Sequence, residues 1–279
     1  MSVEPLVFMP VDSWVELKSV LKSDWPRSIL GVLVLENQES LLKSGVVYDF
    51  KVYCPFGDVN NGMVALNIKD TYYDVIIQCP KDDTRVLEEA LKSTNIVDWK
   101  KCEQIPALPN HILDCVRRLY SAKNLKIDPI ENISRADTFV LDKGTLPFDV
   151  RLPLGHSFDL LSLDSKPLIN ETWPHKYPGS ELYYELLIKA KLGYGLYNGK
   201  ELIAWVFLRE LGCLGHLYTL EKHRRKGYGV LVLKLISNIL LKDKKYTVAY
   251  CATVNKNAAN LYRKLGFQNL LEIDWCHFF

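Results

Sequence analysis

The chain has 279 residues, of which 48% are hydrophobic and 24% are charged, a composition typical of a globular protein with room for two domains. Its 35 basic and 33 acidic residues give a formal net charge of +2, so overall charge gives no reason to expect binding to nucleic acid or to an anionic membrane. The seven cysteines are odd in number, widely spaced and without a C-x-x-C pair. This spacing argues against a disulfide framework and a zinc knuckle, and it favours a reducing compartment.

The N-terminal segment "MSVEPLVFMPVDSW" contains two acidic residues, lacks arginine and has no long apolar core. It therefore resembles neither a secretory signal nor a transit peptide. No run in the chain approaches 18 apolar residues, so no membrane span is predicted. We expect a cytoplasmic protein without a membrane partner, and the sequence leaves a mitochondrial location open.

Hydrophobic periodicity predicts the elements of the first 125 residues. Apolar residues at every third or fourth position indicate helices, whereas alternation and short apolar runs indicate strands. Helices are predicted over residues 12–23, 82–93 and 108–120, with Thr84 and Asn110 available as caps near the starts of the last two. Strands are predicted over residues 29–35, 46–53, 62–68 and 74–80.

Residues 121–155 are polar and contain three prolines, with one short strand predicted in "TFVLDKG". This composition is typical of a linker followed by the entry to a second domain. We place the boundary near residue 130, which gives an N-terminal domain of residues 1–130 and a second domain of residues 131–279.

The second half predicts a mixed α/β order. Two apolar alternating runs about Asn198-Gly199 give the strongest short hairpin signal in the chain. Helices are predicted over residues 157–170, 179–191, 227–243 and 255–266. Further strands are predicted over residues 212–220, 245–254 and 270–279.

The segment "RRKGYG" lies between a predicted strand and a predicted helix. The first N–H groups of a helix lack intrahelical acceptors and, with the helix dipole, form an anion site. Gly227 and Gly229 would let the backbone approach a phosphate closely, while Arg224, Arg225 and Lys226 supply positive charge. The alternative is a basic surface turn with solvated cations. Neither the G-x-x-x-x-G-K-[ST] loop nor the third glycine of a dinucleotide fingerprint is present.

A second motif follows about 25 residues later, in "NKNAANLYRKLGF". With the R-x-x-G-x-G loop before it, the segment from about 193 to 270 resembles the GNAT superfamily of acyl-CoA-dependent N-acyltransferases. Members of that superfamily have an acyl-CoA loop of the form [RQ]-x-x-G-x-[GA], and their next strand and helix typically read N-x-x-A-x-x-x-Y-x-K-x-GF. The matching residues are Asn255, Ala258, Tyr262, Lys264, Gly266 and Phe267.

Three further stretches, "VLKSDWPRSILGVLVLEN", "STNIVDWKKCEQIP" and "FDLLSLDSKPLINETWPH", are similar to the glycine N-acyltransferase-like branch. The resemblance implies an α/β GNAT fold with a mixed, centrally splayed sheet flanked by helices, preceded by a smaller degenerate GNAT-like domain. It also implies acetyl-CoA or another acyl-CoA as co-substrate, no metal, and a small-molecule or peptide amine as acceptor. It does not imply glycine as the substrate.

In such a fold the pantetheine arm enters the gap between strands 212–220 and 245–254. Backbone N–H groups on the first strand could then stabilise the oxyanion that forms as the amine attacks. The resemblance implies that the donor site comprises Tyr218, Thr219, Leu220, Arg224, Arg225, Lys226, Gly227, Tyr228, Gly229, Asn255 and Tyr262.

The resemblance assigns Tyr262 as the general acid that protonates the departing CoA thiolate. Tyr262 also lies on an apolar stripe at helical spacing, so it could be a core residue with a satisfied hydroxyl. Asn255 could be only a helix N-cap, which would not exclude a contact to the CoA arm.

No motif identifies the general base. His216, on the strand before the loop, and Glu221, at its end, are the titratable candidates. Each has an alternative: His216 as a half-buried strand residue, and Glu221 as a solvated partner of Lys222 or Arg224. A nucleophilic pair of Cys213 with His216 would lack an orienting third group.

The segment "ETWPHKYPG", residues 171–179, connects two predicted helices where such a fold places the acceptor pocket. Trp173, His175 and Tyr177 either line that pocket or cover the core. A non-catalytic module that binds acyl-CoA is the competing function, because the base has no motif. The sequence leaves the oligomeric state open.

Overall fold

The computed structural model describes residues 3–125 and 133–278, which form two compact units. Unit 2 comprises Lys43–Val46 and Thr138–Leu270, and unit 1 comprises the remaining described residues. The C-terminal segment from Leu271 onward therefore belongs to unit 1. The boundary predicted near residue 130 lies outside the described residues.

Unit 1 is a mostly antiparallel sheet with four helices. Its strands follow the order β1-β2-β3-β4-β5-β12, and only β4 and β5 pair in parallel. The strands are β1 Leu6–Phe8, β2 Asp49–Pro55, β3 Met63–Lys69, β4 Tyr72–Gln78, β5 Gln104–Pro109 and β12 Gln268–His277. The helices are α1 Trp14–Ser23, α2 Ile29–Lys43, α3 Arg85–Ser93 and α4 Asn110–Ala122.

Unit 2 contains a mixed sheet in the order β6-β11-β10-β9-β8-β7. Its strands are β6 Ile133–Leu141, β7 His156–Leu160, β8 Gly193–Asn198, β9 Glu201–Leu208, β10 Leu214–Thr219 and β11 Thr247–Ala252. Its helices are α5 Lys166–Glu171, α6 Ser180–Lys189, α7 Tyr228–Lys242 and α8 Lys256–Lys264. Within residues 3–125 and 133–278, no helix is long and apolar enough to cross a bilayer.

Both faces of strand β9 are buried, which explains its continuous apolar sequence. Val206 packs in a core that includes Leu233 of α7, whereas Trp205 and Phe207 pack in a second core that includes Tyr184 of α6. The hairpin predicted at Asn198-Gly199 is confirmed, with Asn198 opposite Glu201. The sheet of unit 2 is thus held between α7 on one face and α6 on the other.

Two predicted elements are wrong. Residues 29–35, predicted as a strand, form the first half of helix α2, in which every residue from Ile29 to Leu35 is buried. Burial on all sides removes the polar face that would have revealed the helical period, so a short apolar run suits either element. Residues 157–170, predicted as one helix, contain strand β7 and then helix α5.

Smaller differences concern strands and caps. Strands β1 and β5 were not predicted, because β1 has only three residues and the β5 sequence is interrupted by prolines. Thr84 is the N-cap of α3 but makes no side-chain cap hydrogen bond. Asn110 is the first helical residue of α4, and Pro109 is the N-cap. Local sequence therefore located these helices within a few residues.

We expect Gly62→Ala to destabilise unit 1 strongly. Gly62 has φ +87°, and a Cβ atom there would lie 2.0 Å from the carbonyl oxygen of Gln78. Steric overlap with backbone adds to the cost of positive φ, so the free energy of unfolding should fall by about 3 kcal/mol in urea titration. Gly45→Ala is the control, since Gly45 has φ +76° and no atom of a described residue lies within 4 Å of the added Cβ. Equal losses in both variants would show that the contact with Gln78 relaxes.

Candidate functional site

Strands β10 and β11 part from each other near the start of β10. They are parallel neighbours, yet only Leu214 and Ala249 are paired. On its other side β10 stays paired with β9 as far as Thr219. Within the described residues, the edge of β10 that faces β11 therefore has no strand partner beyond Leu214, and a gap opens in the middle of the sheet of unit 2.

A β-bulge at His216 interrupts the pairing of β10 with β9. Gly215 is paired with Phe207 and Tyr218 with Trp205, so two residues of β10 oppose one residue of β9. His216 has φ +48°, in the left-handed region, which costs a residue with a side chain on the order of 1–3 kcal/mol. Strain of this kind persists where the surroundings enforce it and often marks a functional site.

The loop between β10 and α7 contains a row of unused backbone amides. Arg225 has φ +63° and Gly227 has φ +83°, and such left-handed positions turn successive N–H groups into one concavity. Among the described residues, no protein acceptor receives a hydrogen bond from the amides of Arg225 through Gly229. The amide of Arg224, by contrast, donates to the carbonyl of Glu221 at 3.1 Å. The row is suited to an anion at the N-terminus of α7.

The two loop glycines are needed for different reasons, one for its backbone conformation and the other for the space that it leaves. Gly227 needs its positive φ, because most residues are strained there. Gly229 has no positive φ, and a Cβ atom on it would lie 3.8 Å from Thr219 Oγ1, which is ordinary contact. Protein packing therefore does not require glycine at position 229, and the missing methyl group leaves room for a ligand.

The cations of the loop are arranged in two ways. Arg224 folds back onto strand β10, where its Nε donates to the carbonyl of Thr219 at 3.2 Å and its guanidinium lies 5.3 Å from the Tyr218 ring centre. Arg225 and Lys226 are exposed and have no ion-pair partner within the described part of the chain. These two charges are available to an anion.

Leu220, predicted for the donor site, and Glu221, a candidate general base, already have protein partners. The amide of Leu220 donates to the carbonyl of Ile203 at 3.0 Å, and its own carbonyl accepts from the amide of His223 at 2.8 Å. The side chain of Glu221 is 82% exposed and forms an ion pair with Arg224 at 3.4 Å. Glu221 thus lies at the surface of the loop, as the alternative interpretation of this residue expects.

Tyr262 lies on α8 with its ring stacked 5.2 Å from Phe139 and tilted 5.3 Å from Phe267. Its hydroxyl makes no hydrogen bond to another described residue. Burial, and then the nearby thiols of Cys251 and Cys213, raise the pKa of the phenol well above its usual value. Tyr262 therefore carries a protonated hydroxyl that has no partner in the described part of the chain. Cys251 belongs to β11, which places that hydroxyl beside one of the two parted strands.

Asn255 caps helix α8. Its side-chain Oδ1 accepts a hydrogen bond from the amide of Ala258 at 3.1 Å. The cap explains Asn255 at the head of a helix and leaves its Nδ2 group outside that hydrogen bond. The structure therefore shows the capping role, and a contact with a ligand stays a prediction.

Aromatic side chains surround the bulge. Trp173 lies 5.9 Å from Tyr177 and 6.2 Å from His175, so the aromatic residues of the 171–179 connection converge. The Trp173 ring also lies 5.3 Å from Tyr184 and 6.4 Å from His216. Tyr184 was not predicted as a site residue, because nothing in the sequence of α6 shows that its hydroxyl meets an imidazole on β10.

A segment that lies mostly in unit 2 matches a known protein family. Residues 193–276 match the model of the FR47-like protein family. No curated protein sequence gives a significant match. The solved structure of a Drosophila protein is 20% identical, covers 99% of both chains and has a TM-score of 0.84.

A tandem GNAT protein from the clavulanic acid biosynthesis pathway is 12% identical, covers 97% of this chain and 96% of its own, and has a TM-score of 0.55. The GCN5-related N-acetyltransferase-like protein from Streptococcus suis is 14% identical, covers 94% of this chain and 99% of its own, and has a TM-score of 0.50. The chain has the GNAT fold. The predicted α/β class with a mixed sheet and flanking helices is therefore confirmed. The parted strands and the amide row are features of this chain within that GNAT fold.

Proposed function

We propose that this protein is an acyl-CoA-dependent N-acyltransferase whose active site lies in unit 2. It transfers an acetyl or other short acyl group to a primary amine, which attacks the thioester directly in a ternary complex. The observation that carries the proposal is the gap between β10 and β11 next to the unused amides of Arg225 through Gly229. Unit 1 corresponds in this proposal to the degenerate GNAT-like domain, as the resemblance to the glycine N-acyltransferase-like branch implies.

The loop binds the donor. The amide row and the charges of Arg225 and Lys226 hold the diphosphate of the acyl-CoA, since N–H groups at a helix N-terminus attract anions. Strand β10 offers its unpaired edge to the amide groups of the pantetheine arm, as an added strand would pair. The thioester then lies in the gap, close to the bulge at His216.

In the transfer step the amine nitrogen forms a bond to the acyl carbon, and the bond from that carbon to sulfur breaks. Tyr262 donates its proton to the departing thiolate, and the proton that the amine loses returns through water to the phenolate. Protons therefore balance, and no covalent acyl-enzyme is needed. The raised pKa of Tyr262 keeps it protonated at neutral pH, as a general acid must be.

A second candidate is a module that binds acyl-CoA without transferring its acyl group. The observation that favours it is that neither candidate base, Glu221 or His216, is suited to accept a proton from the amine near neutral pH. Glu221 is exposed and paired with Arg224, while burial, and then the charges of Arg209 and His175, lower the pKa of His216 to about 3. In the enzyme, water must then take the proton from the amine before that proton reaches the phenolate of Tyr262.

Calorimetric titration with acetyl-CoA tests the donor site. We expect binding in the micromolar range, and no heat from the acetyl thioester of N-acetylcysteamine, which lacks the diphosphate. Absence of acetyl-CoA binding at hundreds of micromolar would rule out both functions. Thiol release against a panel of primary amines then separates the enzyme from the binding module, because only the enzyme releases CoA.

A further inference from the structure

His216 carries a buried imidazole nitrogen that has no partner among residues 3–125 and 133–278. Its Nδ1 lies 2.7 Å from the hydroxyl oxygen of Tyr184, whereas its Nε2 has no hydrogen-bond partner among the described residues. A buried polar atom left without a partner costs about 1–3 kcal/mol, so the atom calls for an explanation.

The hydroxyl of Tyr184 determines which nitrogen holds the proton. Tyr184 is 1% exposed, and its hydroxyl has no other partner within the described residues. If Nδ1 held the proton, both the Tyr184 O–H and Nε2 would be unsatisfied. If Nε2 holds it, Tyr184 donates to Nδ1 and only one group, the Nε2–H, is unsatisfied. The second arrangement costs less, so Nε2–H is a buried hydrogen-bond donor.

The environment of this donor is aromatic. The imidazole centre lies 5.3 Å from the ring of Tyr184, 5.8 Å from Trp205 and 6.2 Å from Phe207. The rings of Tyr218, at 6.1 Å, and Trp173, at 6.4 Å, complete the group. All five rings belong to unit 2. We call these five rings and His216 the aromatic chamber.

We propose that the Nε2–H of His216 recognises the acceptor by donating a hydrogen bond to an oxygen of that molecule. The acceptor is then an amine that carries a carbonyl, carboxylate or hydroxyl oxygen on an apolar body, which packs against the rings of the chamber. This inference rests on the proposed function. It explains why a strained position on β10 holds a histidine, which tolerates left-handed φ better than most residues and brings a donor.

The rings close Nε2 off from solvent, so an acceptor reaches it by displacing one of them. Tyr184 lies in helix α6, and Trp205, Phe207 and Tyr218 lie in strands. Trp173 is the one ring of the chamber on an irregular connection, between α5 and α6. Trp173 is thus the side chain that moves.

Two charged or titratable groups act on His216 from neighbouring segments. Arg209 packs against Gly215, where a Cβ atom would lie 2.5 Å from its Cδ, and His175 lies on the connection. After burial, their charges lower the pKa of His216 further, to about 3. The imidazole therefore stays neutral at physiological pH and acts as a donor, as a neutral imidazole can.

The tautomer is tested by nitrogen-15 NMR of His216 in the full chain. We expect neutral imidazole with the proton on Nε2 from pH 5 to 8. Tyr184→Phe removes the donor to Nδ1, and the signal should become a mixture of tautomers. Tyr183→Phe is the matched control, because the Tyr183 hydroxyl donates to Glu210 at 2.6 Å. A proton on Nδ1 in the unmodified protein would overturn the inference.

Recognition is tested with two amines, phenylalanine amide and phenylethylamine, which differ by a carbonyl-bearing group. Loss of a buried hydrogen bond corresponds to about a tenfold change in affinity. We expect His216→Asn to raise the KM for phenylalanine amide about tenfold while its kcat changes little. Tyr184→Phe leaves about half of the imidazole with its proton on Nε2, so the KM should rise only about twofold in that variant. Both kinetic constants for phenylethylamine should stay nearly the same. Asparagine also tolerates positive φ, so the His216→Asn chain should fold. Equal loss of kcat with both amines would assign the donor to the thioester carbonyl and overturn the inference.

The NMR signal also separates this inference from the proposed function. If no amine is acylated, the proposed function fails, but phenylalanine amide should still shift the Nε2–H resonance in the presence of CoA, and phenylethylamine should not. Identical shifts of the Nε2–H resonance with the two amines would show that the aromatic chamber does not recognise an oxygen of the acceptor.

Discussion

Tyr262→Phe is expected to lower kcat by about 100-fold or more while the Kd for acetyl-CoA changes less than about threefold. The hydroxyl makes no hydrogen bond to a described residue, so its removal leaves no protein group unsatisfied. Phenylalanine keeps the stacked contact with Phe139 and the tilted contact with Phe267. The free energy of unfolding should therefore stay unchanged. The loss of rate should be confined to the step in which the thiolate leaves. Steady-state kinetics and calorimetric titration measure the two quantities separately.

Tyr194→Phe provides a matched control. Tyr194 is a half-buried tyrosine of β8, stacked 5.8 Å from Phe158, away from the loop and the gap. We expect unchanged kcat in this variant. Because burial raises the pKa of Tyr262, deprotonation of this acid should produce no alkaline fall in kcat below about pH 10. Equal losses of kcat and of acetyl-CoA affinity would assign Tyr262 to packing.

Gly229→Ala is expected to weaken acetyl-CoA binding about tenfold or more without lowering the melting temperature. The added methyl group meets only Thr219 Oγ1, at 3.8 Å, so the protein accommodates it. Alanine also favours a helix over glycine by about 1 kcal/mol, which should leave stability equal or higher. The space that the methyl group fills is the one a phosphate would use beside the amide row. Calorimetric titration measures the expected loss of acetyl-CoA affinity, and thermal unfolding measures the equal or higher melting temperature.

Val230→Ala is the control for Gly229→Ala. Val230 is the next residue of α7 and is 37% exposed, so its truncation changes the same turn without entering the amide row. Its acetyl-CoA affinity should be unchanged. If Gly229→Ala also binds acetyl-CoA normally, the diphosphate does not lie on these amides, and the donor site proposed for unit 2 is wrong.

Local signals allowed the hairpin and the loop to be predicted. The hairpin at Asn198-Gly199 depends on a glycine that adopts φ +58° at little cost, and that preference is a property of the residue itself. The same holds for Gly227 at the head of α7 and for Asn255, whose side chain caps the helix that it begins. Such features are decided within a few residues, so a sequence reveals them directly.

Helix α2 and the aromatic chamber depend on distant parts of the chain. The run from Ile29 to Leu35 could serve as a buried strand or a buried helix, and packing inside unit 1 decides between them. His216 became a neutral donor because Tyr184 of α6 and the rings of β9 enclose it, and no pattern near residue 216 records those contacts.

The sequence by itself determined the order of loop, strand and capped helix that distinguishes residues 193–270, because backbone preferences and caps act locally. Only the tertiary structure decided where β10 leaves β11, which amides stay unused and how burial lowers the pKa of His216 to about 3. The reason is physical: strand separation and desolvation depend on which surfaces meet, and those surfaces come from segments far apart in the chain.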